Sequence, residues 1–273
     1  MRWATIRTGD GTRAARVDGD SLVELDARDV GELLARGGDT RETGAVRDVA
    51  SAEYAPVVTH PGKVLCQGLN YRSHILEMGH PLPEHPTLFV KFREALIGAH
   101  DDIHLPPESD ATDWEAELAL VIGRRVRRAS PAEGAEAIAG FTVANDVTMR
   151  DWQYRSLEWL QGKTWERSTP VGPWLVTADE VGGPAPDLAI GCEVDGVVRQ
   201  ASRTAELVFS PADLVAYAST FVTLEPGDLL LTGTPAGVGH GMDPPVYLAP
   251  GQVVRTTIEG IGQLRNRCVT SRT

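Results

Sequence analysis

The amino-acid sequence predicts a mostly-β fold with some α-helix: a small N-terminal α+β domain over residues 1–60 and a larger β-rich domain over residues 61–273. Three observations carry this. Short runs of apolar and β-branched residues recur along the chain, bounded by Gly, Asp and Pro. Pairs such as Asp195-Gly196 sit between two such runs, which is a hairpin signal. Helical periodicity is confined to a few segments, so strands do not alternate with helices as a parallel βαβ sheet would require.

Taken in order, Trp3 to Ile6, Ala14 to Val17 and Ser21 to Leu25 read as strands joined by turns at Gly9-Asp10-Gly11 and Asp18-Gly19-Asp20. Val30 to Arg36 reads as a short helix stopped by Gly37-Gly38. The texture changes at Pro61. Lys63 to Cys66 and Leu88 to Phe92 are strands, and Gly68-Leu69-Asn70-Tyr71 leads into a segment carrying His74 and Glu77. Asp113 to Ile122 is a strand, followed by a helix opened by Pro131 and a second strand from Gly140 to Asp146. A helix is expected from about Thr148 to Trp159. Pro170 to Thr177 reads as a rigid turn running into a strand, and Leu188 to Val194 pairs with Val197 to Gln200. Ser210 caps a helix that Pro211 opens and that runs to Phe221. Strands recur at Leu229 to Thr232, Val253 to Ile258 and Gln263 to Val269.

A formal charge of −12 over 273 residues argues against a nucleic-acid surface, which needs clustered Lys and Arg. The one basic cluster, Arg124, Arg125, Arg127 and Arg128, follows an acidic strand and reads as a solvated turn. No apolar run approaches the length of a membrane span. Cys66, Cys192 and Cys268 are few, odd in number and far apart, which suits a reducing cytoplasm better than a disulfide framework.

The chemistry is concentrated around Asp113-Trp114-Glu115-Ala116-Glu117. Strand alternation puts Glu115 and Glu117 on one face, with Ala119 and Val121 behind them. Two carboxylates there repel each other and are costly to desolvate, so either a bound cation or an edge strand with a solvated end is required. Asp146 closes the second strand. It reads either as a third oxygen donor for Mg²⁺, Mn²⁺ or Ca²⁺, or as a helix N-cap. Arg150 and Gln153, three apart, share a face and could grip a carboxylate or carbonyl, or form a solvated face. His74 and Glu77, also three apart, form either a carboxylate-oriented general base or a surface pair. Lys163 is either an electrostatic stabiliser of an enolate or a surface lysine. Leu231 to Gly239 is a strand feeding a glycine-rich loop. Its N–H groups and the Thr234 hydroxyl could cradle an anion, and it is neither a Walker loop nor a dinucleotide fingerprint.

The order of these elements resembles the fumarylacetoacetate hydrolase family, in its acylpyruvate-hydrolase-like and diene-dioate-isomerase-like branch. The pattern runs Asn70-Tyr71-x-x-His74-x-x-Glu77, Asp113-Trp114-Glu115-x-Glu117, Asn145-Asp146-x-x-x-Arg150-Asp151-x-Gln153, Gly162-Lys163, Pro170-x-Gly172-Pro173-Trp174, and Gly227-Asp228 through Thr232-Gly233-Thr234-Pro235, closing on Ile258-Glu259-Gly260-Ile261-Gly262. The resemblance implies a mixed β-sandwich roll in a homodimer. It implies Mg²⁺ or Mn²⁺ (Ca²⁺ in crystals) on Glu115, Glu117 and Asp146, and substrate contacts at Arg150, Gln153 and Thr234. It further implies a lysine at Lys163 and a lid dyad at His74 and Glu77, in a segment that orders on substrate binding. Glu166 stands where the family commonly has Asp, Met149 replaces a small residue, and Ser168-Thr169 replaces an aromatic-containing pair, which bears on substrate identity. The expected activity is hydrolytic carbon–carbon cleavage of a β-diketo acid such as an acylpyruvate. Decarboxylation of an oxaloacetate-like acid, or isomerisation or hydration of an unsaturated dicarboxylate, are alternatives on the same site. A non-catalytic binding protein on this fold is the alternative of another class.

Overall fold

The computed structural model describes residues 1–271. An eleven-stranded sheet forms its spine. From one edge inward it runs Glu42–Asp48, Ser21–Leu25, Gly11–Asp18, Arg2–Thr8, Thr169–Thr177, Ile138–Asn145, Ala116–Ile122, Leu229–Leu231, Val64–Gly68 and Thr87–Lys91, with Leu96–Ile97 attached to Thr169–Thr177. The N-terminal strand Arg2–Thr8 pairs antiparallel with Thr169–Thr177, so the first strands extend the sheet that carries the acidic pair. A second sheet of five strands runs Val197–Arg203, Ala189–Val194, Val253–Ile258, Gly262–Thr270 and Ile103–Leu105.

Ala116–Ile122 is buried over its whole length because both of its faces are covered. Ala116, Leu118, Leu120 and Ile122 join Trp114 and Phe141 in a core with Ile190, Val254 and Leu264 of the second sheet. Ala119 and Val121 face the other way, into a cluster with Cys66, Phe89, Leu229 and Leu231. The two sheets are also pinned by polar bonds: Asn145 donates to the Thr256 hydroxyl at 2.9 Å, and the Ala116 N–H donates to Gln200 Oε1 at 2.9 Å. An unpaired amide so deeply buried would cost about 1–3 kcal/mol, so these bonds fix the register where the acids emerge.

The predicted helices at Pro131 and Pro211 form, each with a Ser capping box: Pro131–Ala137 behind Ser130 and Pro211–Phe221 behind Ser210. The helix expected from Thr148 to Trp159 does not. Thr148–Met149 instead pairs with Thr112–Asp113, only Arg150–Gln153 makes a helical turn, and a second turn, Leu160–Lys163, starts after Trp159 at φ +62°. The cause is tertiary: Arg150, Gln153 and Lys163 are all drawn inward to buried partners, and one straight helix cannot aim all three at one point. The strand Glu42–Asp48 was invisible in the sequence because all seven residues are exposed and no apolar alternation marks it.

Candidate active site

The acidic groups sit where the central strands end. Glu115 lies just before Ala116–Ile122, Glu117 is its second residue, and Asp146 follows Ile138–Asn145 on the neighbouring strand. Ala116 lies opposite Asn145, and the Asp146 N–H donates to the Glu115 carbonyl at 2.8 Å. That register brings carboxylate oxygens of Glu115, Glu117 and Asp146 within 4.8 Å of one another, all buried. Asp146 caps no helix; Met149 holds that position. The edge-strand and N-cap alternatives are therefore both removed.

Three cations reach the same point. Lys163 donates to Glu115 at 2.7 Å and Asp146 at 2.8 Å. Lys91, at the end of Thr87–Lys91, donates to the other Asp146 oxygen and to the Val147 carbonyl. Arg150 donates from Nε to Asp113 at 2.8 Å, pairs with Glu115 at 2.6 Å and donates to the side-chain Oε1 of Gln153 at 2.9 Å. Burial raises the Asp146 carboxyl, but Lys163 and Lys91 outweigh it and draw it down to about 2. Burial works to lower the Lys163 ammonium and the Arg150 guanidinium, and neighbouring carboxylates hold both raised.

Glu117 is different. Burial, then the charges of Asp146 and Glu115, push its carboxyl well above the ordinary range, and its closest donor is the Gly233 N–H at 2.7 Å. Asp113, Glu115, Glu117 and Asp146 thus stand against Lys91, Arg150 and Lys163, leaving one buried carboxylate without a cationic partner. An all-oxygen, net-negative set with one uncompensated acid fits a hard divalent cation and does not fit a thiolate-seeking metal.

Around this centre lies a confined cavity of about 60 Å³, lined by Glu115, Glu117, Arg150, Gln153, Lys163 and Thr234 on its inner side. The helix Arg72–Glu77 covers it and brings in His74, whose Nδ1 lies 3.1 Å from Glu77. Burial raises the Glu77 carboxyl, but hydrogen bonds from His74 and from the Gly237 N–H outweigh it and hold it lowered. That Gly237 bond, at 3.1 Å, ties the helix to the glycine-rich loop. The Thr234 hydroxyl accepts from Gln200 at 2.8 Å, which leaves its own proton to donate. All nine residues singled out from the sequence therefore lie in or against one cavity. A larger groove of about 580 Å³ between Arg2, Trp174 and the Thr257–Gln263 turn contains none of them, so chemistry and not size locates the site.

Three participants escaped sequence reasoning. Lys91 looked like a strand-end lysine, and only its burial reveals it. Asp113 belongs to the Asp113-Trp114-Glu115 motif, where spacing alone gives it no role. In the structure it accepts from the Gly239 and His240 N–H groups, at 2.7 Å and 3.0 Å, while pairing with Arg150. Gln200 lies on an exposed hairpin strand but is itself buried, with its amide on Thr234. The signal for Asp113 was available: an acid two residues before a buried acid needs its own partner.

The sequence model described as Fumarylacetoacetate (FAA) hydrolase C-terminal matches residues 63–269. Oxaloacetate tautomerase Fahd2a, mitochondrial, of Rattus norvegicus is 47% identical over 213 residues, covering 78% of this chain and 68% of that protein. The crystal structure of 2-hydroxyhepta-2,4-diene-1,7-dioate isomerase from Mycobacterium marinum superposes with a TM-score of 0.85 at 34% identity, covering 100% of each chain. Fumarylacetoacetate hydrolase from psychrophilic Exiguobacterium antarcticum gives a TM-score of 0.90 at 31% identity, over 99% of this chain and 100% of that one.

Proposed function

The chain belongs to the fumarylacetoacetate hydrolase family, and from that premise we propose that it interconverts the enol and keto forms of a small 2-oxo dicarboxylic acid such as oxaloacetate, using a divalent cation. The observation that carries this is the convergence, in one confined cavity, of three buried carboxylates, Lys163 and the His74–Glu77 pair. Glu115, Glu117 and Asp146 would hold Mg²⁺ or Mn²⁺, which supplies a Lewis acid to the oxygens of an oxo acid.

His74 turns Nδ1 to Glu77, and its Nε2 has no bond among the described residues. Nε2 takes the enol O–H proton and the same ring returns a proton to C3, so no co-reactant is consumed. Lys163 adds positive charge beside the developing enolate, where low dielectric strengthens it. Gln153, whose side-chain Oε1 is held by Arg150, keeps its amide N–H groups for the substrate, and the Thr234 hydroxyl does the same. The name of the rat relative favours this reaction.

Carbon–carbon hydrolysis of an acylpyruvate is the second reading. It is favoured by the His74–Glu77 arrangement, which is also what activation of an attacking water needs. Following the enol absorbance of oxaloacetate with Mn²⁺, and resolving products by chromatography, separates them. Accelerated enol decay with oxaloacetate intact supports tautomerisation. Fragments from an acylpyruvate with no effect on enol decay would replace it with hydrolysis.

A further inference from the structure

The three buried cations that line or border the cavity are already committed to carboxylates of the chain itself: Lys91 to Asp146, Lys163 to Glu115 and Asp146, Arg150 to Asp113 and Glu115. Gln153 and Thr234 are buried and sit deep, beside the acids. A dicarboxylic substrate brings a second carboxylate that points away from the acids, toward the exposed side of the cavity. Of the lining side chains that carry N–H or O–H donors, His80 and Tyr154 are the exposed ones. Neither is ion-paired to a carboxylate among the described residues.

Their placement is supported from behind. His80 follows the turn at Gly79, with its backbone N–H bonded to the Ile75 carbonyl, so it rides on the same helix as His74. The Tyr154 ring, 53% exposed, lies against the His240 ring with centroids 5.5 Å apart. His240 is held at both ends. Its backbone N–H donates to Asp113, and its ring Nδ1 lies 2.9 Å from the Tyr247 hydroxyl. Asp113 also fixes Arg150, so the inner and outer parts of the cavity share one anchor.

We infer that His80 and Tyr154 form the subsite for the distal carboxylate of a 2-oxo dicarboxylic acid, with His240 a positioning residue for the Tyr154 ring. The inference rests on the oxo-acid reading above. An imidazole N–H donates in either protonation state, and the Tyr154 hydroxyl supplies a second donor. Hydrogen bonds to a charged group contribute enough that removing one weakens binding about tenfold.

Oxaloacetate and 2-oxobutanoate share a 2-oxo-acid head and a four-carbon length, and differ only in the distal carboxylate. Their dissociation constants, and that of oxalate as the head group alone, are measured by calorimetry on full-length Mn²⁺-loaded protein carrying His74→Ala to prevent turnover. In that parent, oxaloacetate binds more tightly than 2-oxobutanoate. Adding His80→Val or Tyr154→Phe weakens oxaloacetate about tenfold and leaves 2-oxobutanoate and oxalate within about twofold. His240→Ala weakens oxaloacetate selectively, and His240→Phe, which keeps a ring against Tyr154, restores it. Persistence of the oxaloacetate preference in both His80→Val and Tyr154→Phe overturns the assignment, as does equal weakening of all three ligands. If the parent binds none of them, the oxo-acid reading itself falls and the subsite falls with it.

Discussion

Replacing Glu117 by Gln isolates the acid of this buried cluster that has no cationic partner. Gln keeps the shape and can still accept the Gly233 N–H that lies 2.7 Å from Glu117 Oε2, so the local fold is retained. The metal-free protein responds through linkage. Burial and the neighbouring acids raise the Glu117 carboxyl above its ordinary value of 4.5, so its favourable contribution is complete below that pH and is lost as pH rises through the folded-state value. Metal-free Glu117→Gln therefore melts higher than the parent at pH 8, and the difference shrinks toward pH 5. With Mn²⁺ the comparison moves in the parent's favour. At a hundredfold excess over Kd the metal stabilises the parent by about 2.7 kcal/mol, or about 5–10 °C in Tm for a domain of this size. If losing the carboxylate weakens binding about a hundredfold, the same Mn²⁺ concentration adds only about 0.4 kcal/mol. Thermal scans across this pH range, with and without Mn²⁺, measure both effects. A metal-free variant no more stable than the parent at pH 8, or one that keeps the full Mn²⁺ shift, refutes the charge count on which the site rests.

His74→Ala lowers the rate of oxaloacetate enol decay by about 10²–10⁴ while leaving Tm close to the parent, since among the described residues the ring is bonded only to Glu77; a rate within a few-fold of the parent removes His74 as the base. Asp113→Ala takes one of its two carboxylate partners from the buried Arg150 guanidinium and the acceptor from two loop N–H groups, and costs about 3–5 kcal/mol in urea unfolding; a loss below about 1 kcal/mol contradicts that role. Lys91→Met leaves Asp146 with Lys163 alone. Asp146 is drawn down to about 2, so its contribution is present above its ordinary 3.8 and is lost as pH falls through 2; without Lys91 the folded-state value lies closer to 3.8, so the contribution is smaller and is exhausted at higher pH. The acid-unfolding midpoint, followed by circular dichroism, therefore rises, and an unchanged midpoint counts against the pairing. Gly162→Ala places a Cβ 2.5 Å from the Gln153 backbone, forcing apart the two helical turns that carry Gln153 and Lys163. Activity and stability fall together, and a variant with full kcat shows that this contact is not needed.

What was legible in the sequence followed from local rules. Strand alternation placed Glu115 and Glu117 together because Ala116–Ile122 is regular, and the Ser-Pro starts at Ser130 and Ser210 act within one turn of chain. The failures share one cause. Lys91 and Asp146 are 55 residues apart, and Arg150 and Asp113 are 37 apart, so nothing local to either member announces the pair. The failed helix from Thr148 to Trp159 belongs with them. Its residues are compatible with a helix, and the chain breaks there because Arg150 and Lys163 must each reach Glu115, at 2.6 Å and 2.7 Å, from separate turns. A helix propensity of a few tenths of a kcal/mol per residue cannot compete with leaving two buried charges unpaired. The same comparison explains why the acids were found and their counter-ions were not. Carboxylates on an apolar strand conflict with their own surroundings and so stand out. A lysine at a strand end agrees with its surroundings until the fold buries it.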